Sequence, residues 1–327
     1  MDARERSVLA TLAYYGALRR PLTLVELCRR LIPPLRLGGR DVLVPDLGGL
    51  TLVADELSAG GAIRCDAGLY TLAGASADLE AHRDGRQKES AQKWTRMLGA
   101  AFWLQAVPYV RMLAASGSLA LASSSEGSDW DIFAVVHAGR LYTARLGLLA
   151  VAQMLGRLRT KRMKRAPDRF CFNHIITTDG LATRHRSIFT AHALAWLMPF
   201  YDPSGTAARV REANRWVTDF VAVPMDTEFR RRSVAPSRPL AVVRRAMEAV
   251  LDTFIGGILE SAVRKWMQRR IAREPATHGK GGRVVADDRE LEFHPHSFEA
   301  VALSRYNASL TRLGMGQYAE HDSGLVN

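Results

Sequence analysis

The segment that decides the fold reads Ser116-Gly117-Ser118, then ten residues, then Asp129-Trp130-Asp131-Ile132-Phe133-Ala134-Val135-Val136. In a strand, side chains alternate between faces, so Asp129 and Asp131 point one way and Trp130 and Ile132 the other. Two neighbouring carboxylates repel and lose hydration as a sheet forms around them, which is costly unless a cation lies between them. Hard oxygen ligands suit Mg2+, or Mn2+, and such an ion commonly also binds substrate phosphates. Upstream, Gly117 stands where a strand would hand over to a helix. A glycine there lets backbone approach a phosphate, and the following amides with the Ser118 hydroxyl can hold it.

Working outward, apolar runs predict strands over residues 109 to 115, 129 to 136 and 169 to 177, with a helix over 141 to 159. The order is β-α-β-α-β, an α/β sheet domain spanning 86 to 202. It opens with a long helix over 86 to 104 carrying Trp94, Leu98 and Phe102 on one side, after a linker over 74 to 85.

Before the linker, Val8, Leu9, Leu12, Tyr15 and Leu18 fall at helical spacing, and Thr23 followed by Glu26 is a capping-box pattern opening a second helix that Pro33-Pro34 ends. A third helix over 50 to 58 stops at Gly60-Gly61. Residues 62 to 65 and 69 to 72 then flank Asp66-Ala67-Gly68 as a hairpin. Three helices and a hairpin predict a winged helix-turn-helix over 1 to 75. Its third helix carries Asp55 and Glu56 and no lysine or arginine, which favours docking to a protein over reading DNA. Residues 203 to 327 read as a helical C-terminal region: 207 to 220, then 239 to 271 bent near Gly256-Gly257, then 298 to 313, interrupted by a hairpin-like segment over 282 to 293.

Gly117-Ser118, the ten-residue spacer and Asp129-Trp130-Asp131-Ile132 together resemble the signature of polymerase-beta-type nucleotidyltransferases. Phe170-Cys171-Phe172-Asn173 and Tyr201-Asp202-Pro203 are similar to segments of bacterial members that carry an N-terminal winged helix. The resemblance implies a mixed α+β and α/β chain: winged helix, central nucleotidyltransferase sheet, helical C-terminal region. It implies transfer of a nucleoside monophosphate from a nucleoside triphosphate to a hydroxyl acceptor, a nucleic acid or a protein, with Mg2+ held by Asp129 and Asp131 as catalytic and metal residues. Nucleotide contacts are expected from Gly117, Ser118, Ser128 and Arg145, with Lys161 and Arg162 as further cations. Active members add a third acid from the next strand. Here Asn173 stands near that place, and an amide cannot take a proton at neutral pH. Either Asp168, Asp179, Asp202 or Asp287 substitutes, or the chain binds nucleotide as a weakened or regulatory member of the fold.

Composition bounds these readings. The chain has 327 residues, 47% of them hydrophobic, enough for a sizeable core, and a net charge of +12 that attracts polyanions. Cys28, Cys65 and Cys171 are far apart, odd in number and without CxxC spacing, which indicates neither a disulfide framework nor a zinc site and fits a cytoplasmic protein. The start lacks signal-peptide character, and the longest stretch without Asp, Glu, Lys or Arg, 187 to 201, is shorter than the roughly 20 residues that span a bilayer, so no membrane partner is expected. In His294-Pro295-His296 the proline separates the imidazoles. The basic run from Arg157 to Arg165 lacks aromatics and reads as a solvated helix end, not an RNA platform. The remaining alternative, a winged-helix DNA-binding regulator, rests on the basic charge.

Overall fold

The structure is a computed structural model that describes residues 1–33, 46–76, 78–160, 163, 165–222, 232–274, 283–294 and 298–316. Among these it is a mixed α/β protein with eleven α-helices, one six-stranded and one three-stranded sheet.

The N-terminal unit runs α1 (Ala3–Ala17), β1 (Leu22–Thr23), α2 (Leu24–Arg29), α3 (Leu47–Ala59), β2 (Ile63–Asp66), β3 (Leu69–Leu72), with strands ordered β1-β3-β2. The Thr23–Glu26 capping box forms: Glu26 N donates to Thr23 Oγ1 at 3.2 Å and Thr23 N to Glu26 Oε2 at 3.0 Å. α3 starts three residues before the expected position because Asp46 caps it by accepting from Gly49 N.

α4 (Leu79–Ala101) then begins inside the expected linker. Tertiary contact holds its first turns: Arg83 pairs with Glu26 at 2.6 Å and donates to Pro21 O. The helix tightens into a 3-10 segment, Phe102–Ala106, and leads into β4 (Val110–Ala115), α5 (Gly117–Ala120), β5 (Trp130–Val136), α6 (Leu141–Met154), β6 (Phe170–Thr177), α7 (Ile188–Ala195), β7 (Met198–Tyr201) and α8 (Thr206–Ala213). The expected helix over 207 to 220 breaks at Asn214, whose side chain instead binds Thr183 N, Leu181 O and Val210 O. α9 (Arg238–Leu251) and α10 (Phe254–Ala272) part at Asp252-Thr253, slightly before the expected bend. Gly256 allows the corner, since a Cβ there would meet the Leu251 carbonyl oxygen at 1.7 Å. β8 (Arg283–Ala286), β9 (Glu290–His294) and α11 (Phe298–Arg312) complete the chain.

The large sheet is ordered β7-β4-β5-β6-β9-β8. β4 is antiparallel to β5, the α6 crossover makes β5 and β6 parallel, and β9 adds antiparallel to β6 with His174 opposite Glu292. The 283–294 hairpin therefore extends the sheet. On one face Trp130, Ile132, Ala134, Phe170, Ile175 and Leu291 pack with Trp94 and Met97 of α4, Leu148 of α6 and Met267 of α10. On the other, Met112, Phe133, Val135 and Ile176 pack with Leu197, just before β7, and with Val210 of α8. Tyr14, Tyr15 and Leu12 of α1 share a third core with Ile188 of α7 and Tyr306 of α11. No helix among the described residues is long and apolar enough to cross a membrane.

Candidate metal centre

Asp129 and Asp131 flank the buried Trp130 at the start of β5. One ligand atom each from Asp129, Asp131 and Cys171 lie within 4.8 Å of one another. The opposite strand end is tied in by Ser116 N, which donates to Asp131 O at 3.0 Å. Gly117 follows with φ +56°, and a Cβ on it would lie 2.6 Å from Asp131 Oδ2. Any side chain at 117 would thus collide with the carboxylate and also adopt a backbone conformation that L residues avoid.

Electrostatics here is that of like charges brought close. Burial, then the Asp129 carboxylate, push Asp131 up to about 7, against the pull of His294 and Arg159. Burial, followed by both carboxylates, pushes the Cys171 thiol far above its usual value. The two carboxylates beside Gly117 offer hard oxygens, which fit Mg2+ or Mn2+ better than a thiophilic ion. Arg159 donates to Asp129 Oδ2 and supplies positive charge at the pair.

Arg159 was expected on the solvated end of a helix. That helix stops at Met154, Gly156 turns with φ +64°, and residues 157–159 run extended beside β6, with Arg159 N donating to Phe170 O at 3.0 Å. The same Gly156 that ends the helix carries Arg159 to the carboxylates. Lys161, Arg162 and His296 lie outside the described residues.

Asn173 donates through Nδ2 to Asp131 Oδ1 at 2.8 Å, so the amide does reach the pair. Ser118 is the second residue of α5, with its Oγ 3.3 Å from that of Ser124. Ser128 Oγ is engaged within its own turn by Ser125 N at 3.0 Å. Arg145 is not brought to the pair. It is half-buried on α6 beside the buried Leu141 and Leu148, its guanidinium 4.4 Å over the Phe293 ring, on the sheet face opposite Asp131. The four acids considered as substitutes have other partners: Asp168 holds Lys93 and Arg96, Asp179 and Arg289 pair at 3.4 Å, Asp202 caps α8, and Asp287 pairs with Arg184.

Sequence reasoning missed a second polar group on the same face. His174 Nε2 lies 3.0 Å from Glu290 Oε1, and ligand atoms of His174, Glu290 and Glu292 fall within 4.8 Å of one another. Arg283 and His294 hold Glu292, whose carboxyl, despite burial, is lowered to about 2 by His294, His174 and Arg283. The signal was present as the period-2 pattern Glu290-Leu291-Glu292-Phe293-His294. A separate cleft of about 330 Å3, lined by Met112, Leu197 and Val210, is apolar and contains none of these residues.

Against this geometry, comparison with known proteins adds no assignment: no family model matches the chain, and neither a curated protein nor a solved structure matches it.

Proposed function

We propose that the chain is a metal-dependent nucleotidyltransferase of the polymerase-beta type, moving a nucleoside monophosphate from a nucleoside triphosphate to a hydroxyl acceptor. The observation that carries this reading is Gly117, in a left-handed conformation, packed against an Asp131 carboxylate that shares its space with Asp129. The strand, short helix, strand, crossover helix, strand order from β4 to β6 supports it. In such a reaction the acceptor oxygen forms a bond to the alpha phosphorus, the bond to the bridging oxygen breaks, and pyrophosphate leaves. Bound Mg2+ would supply the charge that stabilises attacking and leaving oxygens. Asp129 and Asp131 would hold the ion, the Gly117-Ser118 backbone would admit the phosphates, and Arg159 would neutralise charge on the open side.

The acceptor proton needs a base. Asn173 donates a hydrogen bond to Asp131 and cannot serve. That contact favours a second reading, nucleotide binding with little or no turnover. The N-terminal unit we read as a winged helix, on the order α1-β1-α2-α3-β2-β3 and the pairing of β3 with both other strands. Leu47 and Leu52 are exposed on α3 beside Asp55 and Glu56, which fits a protein partner better than DNA.

Calorimetric titration of each nucleoside triphosphate with Mg2+ tests the proposal. The wild type should bind and the Asp129→Ala/Asp131→Ala double variant should not; equal binding by the two rejects it. Pyrophosphate release above background separates the enzyme from the binding-only reading.

A further inference from the structure

α9 and α10 carry one acid each, Glu248 and Glu260, Asp252 stands at the corner between them, and all three bond to the sheet domain. Glu248 accepts from Tyr109 N at 2.7 Å and Arg111 at 2.8 Å. Asp252 accepts from the Tyr109 hydroxyl at 2.7 Å. Glu260 accepts from Tyr142 N and Thr143 N at 2.9 and 2.8 Å, capping α6. Asp252 stays 62% exposed at the corner, beside an uncovered apolar row. Val243, Met247, Val250, Phe254 and Ile258 recur at helical spacing around the Asp252-Thr253 corner, Val250 59%, Phe254 78% and Ile258 64% exposed. Surfaces of this kind mark interaction sites.

Cations line both helices: Lys265 and Arg269 share a helical face with Phe254 and Ile258, while Arg238 and Arg245 lie round α9 from Val243 and Met247. Arg238 and Arg245 stand on the α9 side, and Lys265, Arg269, Arg270 and Arg273 on the α10 side, all exposed and without an acidic partner among the described residues. Arg270 lies 5.7 Å over the ring of Trp266, itself 51% exposed. An apolar centre with an aromatic and a basic rim matches a lipid surface that carries negative headgroups. A second copy of the chain fits poorly, because pairing this face with itself would bring two basic rims together.

We propose that the α9–α10 corner docks the protein on an anionic membrane surface, with Phe254 and Ile258 entering the headgroup region and the flanking arginines and Lys265 contacting acidic lipids. This is contact with one leaflet, not a span, and it does not depend on the proposed chemistry at Asp129 and Asp131.

Flotation of the full chain with vesicles of phosphatidylcholine alone, or of phosphatidylcholine with phosphatidylglycerol, tests it. Retention is expected on the mixed vesicles only, and it should decline as salt rises. Phe254→Ser/Ile258→Ser should abolish retention without altering the thermal midpoint, since both side chains are exposed. Arg245→Gln and Lys265→Gln should each weaken binding about fivefold, and Lys265→Arg should not. Failure to float on either vesicle, or equal flotation on both, overturns the proposal. So does a concentration-dependent dimer, seen by light scattering, that Phe254→Ser/Ile258→Ser disperses, because the face would then be a contact between copies.

Discussion

Oδ2 of Asp131 occupies the space in which a side chain at position 117 would begin, 2.6 Å from where a Cβ on Gly117 would stand. Gly117→Ala must therefore move the carboxylate and also strain a backbone at φ +56°. The expected result is a stability loss of roughly 1–3 kcal/mol. Mn2+ affinity, read by calorimetry or by electron paramagnetic resonance, should fall about tenfold or more. An alanine variant that binds Mn2+ like the wild type would show that the glycine does not shape the centre.

Asn173→Asp replaces the amide donor to Asp131 by a third carboxylate. Without metal, three acids in one place should lower the thermal midpoint. With Mn2+ the order should reverse, and affinity should rise on the order of tenfold as ligand charge increases. Melting curves with and without Mn2+ check both signs; a variant destabilised equally in both conditions would place residue 173 outside the ligand sphere.

Lys93 is 1% exposed, and its ammonium donates to Glu126 O at 2.9 Å, Ser128 O at 3.0 Å and Asp168 Oδ1 at 3.0 Å. It holds the loop that delivers Asp129. Lys93→Met leaves Asp168 without this buried partner and should cost about 3–5 kcal/mol in urea unfolding, with Lys93→Met/Asp168→Leu recovering much of it. No recovery in the double variant would mean that the carbonyl contacts, not the ion pair, dominate.

Acid should weaken the N-terminal unit in two stages. Burial, then Arg30, hold His192 down to about 3, so below its free value of 6.5 the unfolded chain takes up a proton that the native one refuses. That contribution is complete above pH 6.5 and is lost as pH falls toward 3, with a slope of up to about 1.4 kcal/mol per pH unit. Glu26, although burial opposes its ionisation, is held at about 2 by Arg20 and Arg83 against a free value of 4.5. Its stabilisation is present above 4.5 and is lost as pH falls toward 2. His192→Phe should flatten the unfolding curve between pH 6.5 and 4.5 and leave only the Glu26 contribution below that. An unchanged slope there would remove His192 as its source.

What could be read from the sequence was what neighbours along the chain decide. The alternation at Asp129-Trp130-Asp131, the glycine before Ser118 and the Thr23–Glu26 box depend on contacts a few residues apart, and each takes the expected local form. Arg159 was placed on a helix because the apolar period runs smoothly past Met154; only the turn at Gly156 and the pairing with Phe170 redirect it. Arg145 had its signal in the α6 period, three residues before the buried Leu148, which turns it toward the sheet. α4 begins early because Arg83 meets Glu26, and the pairing of His174 with Glu292 joins residues more than a hundred positions apart, a distance at which periodicity carries no information.

The insertion of β9 beside β6 has a consequence for biogenesis. Until Glu290–His294 has emerged from the ribosome, β6, reading Phe-Cys-Phe-Asn-His-Ile-Ile-Thr, stands as an apolar border strand with open amides and carbonyls. Nascent chains released before Arg283 should self-associate through that border, so chaperone capture of prematurely terminated products is expected to concentrate on lengths between the ends of β6 and β9.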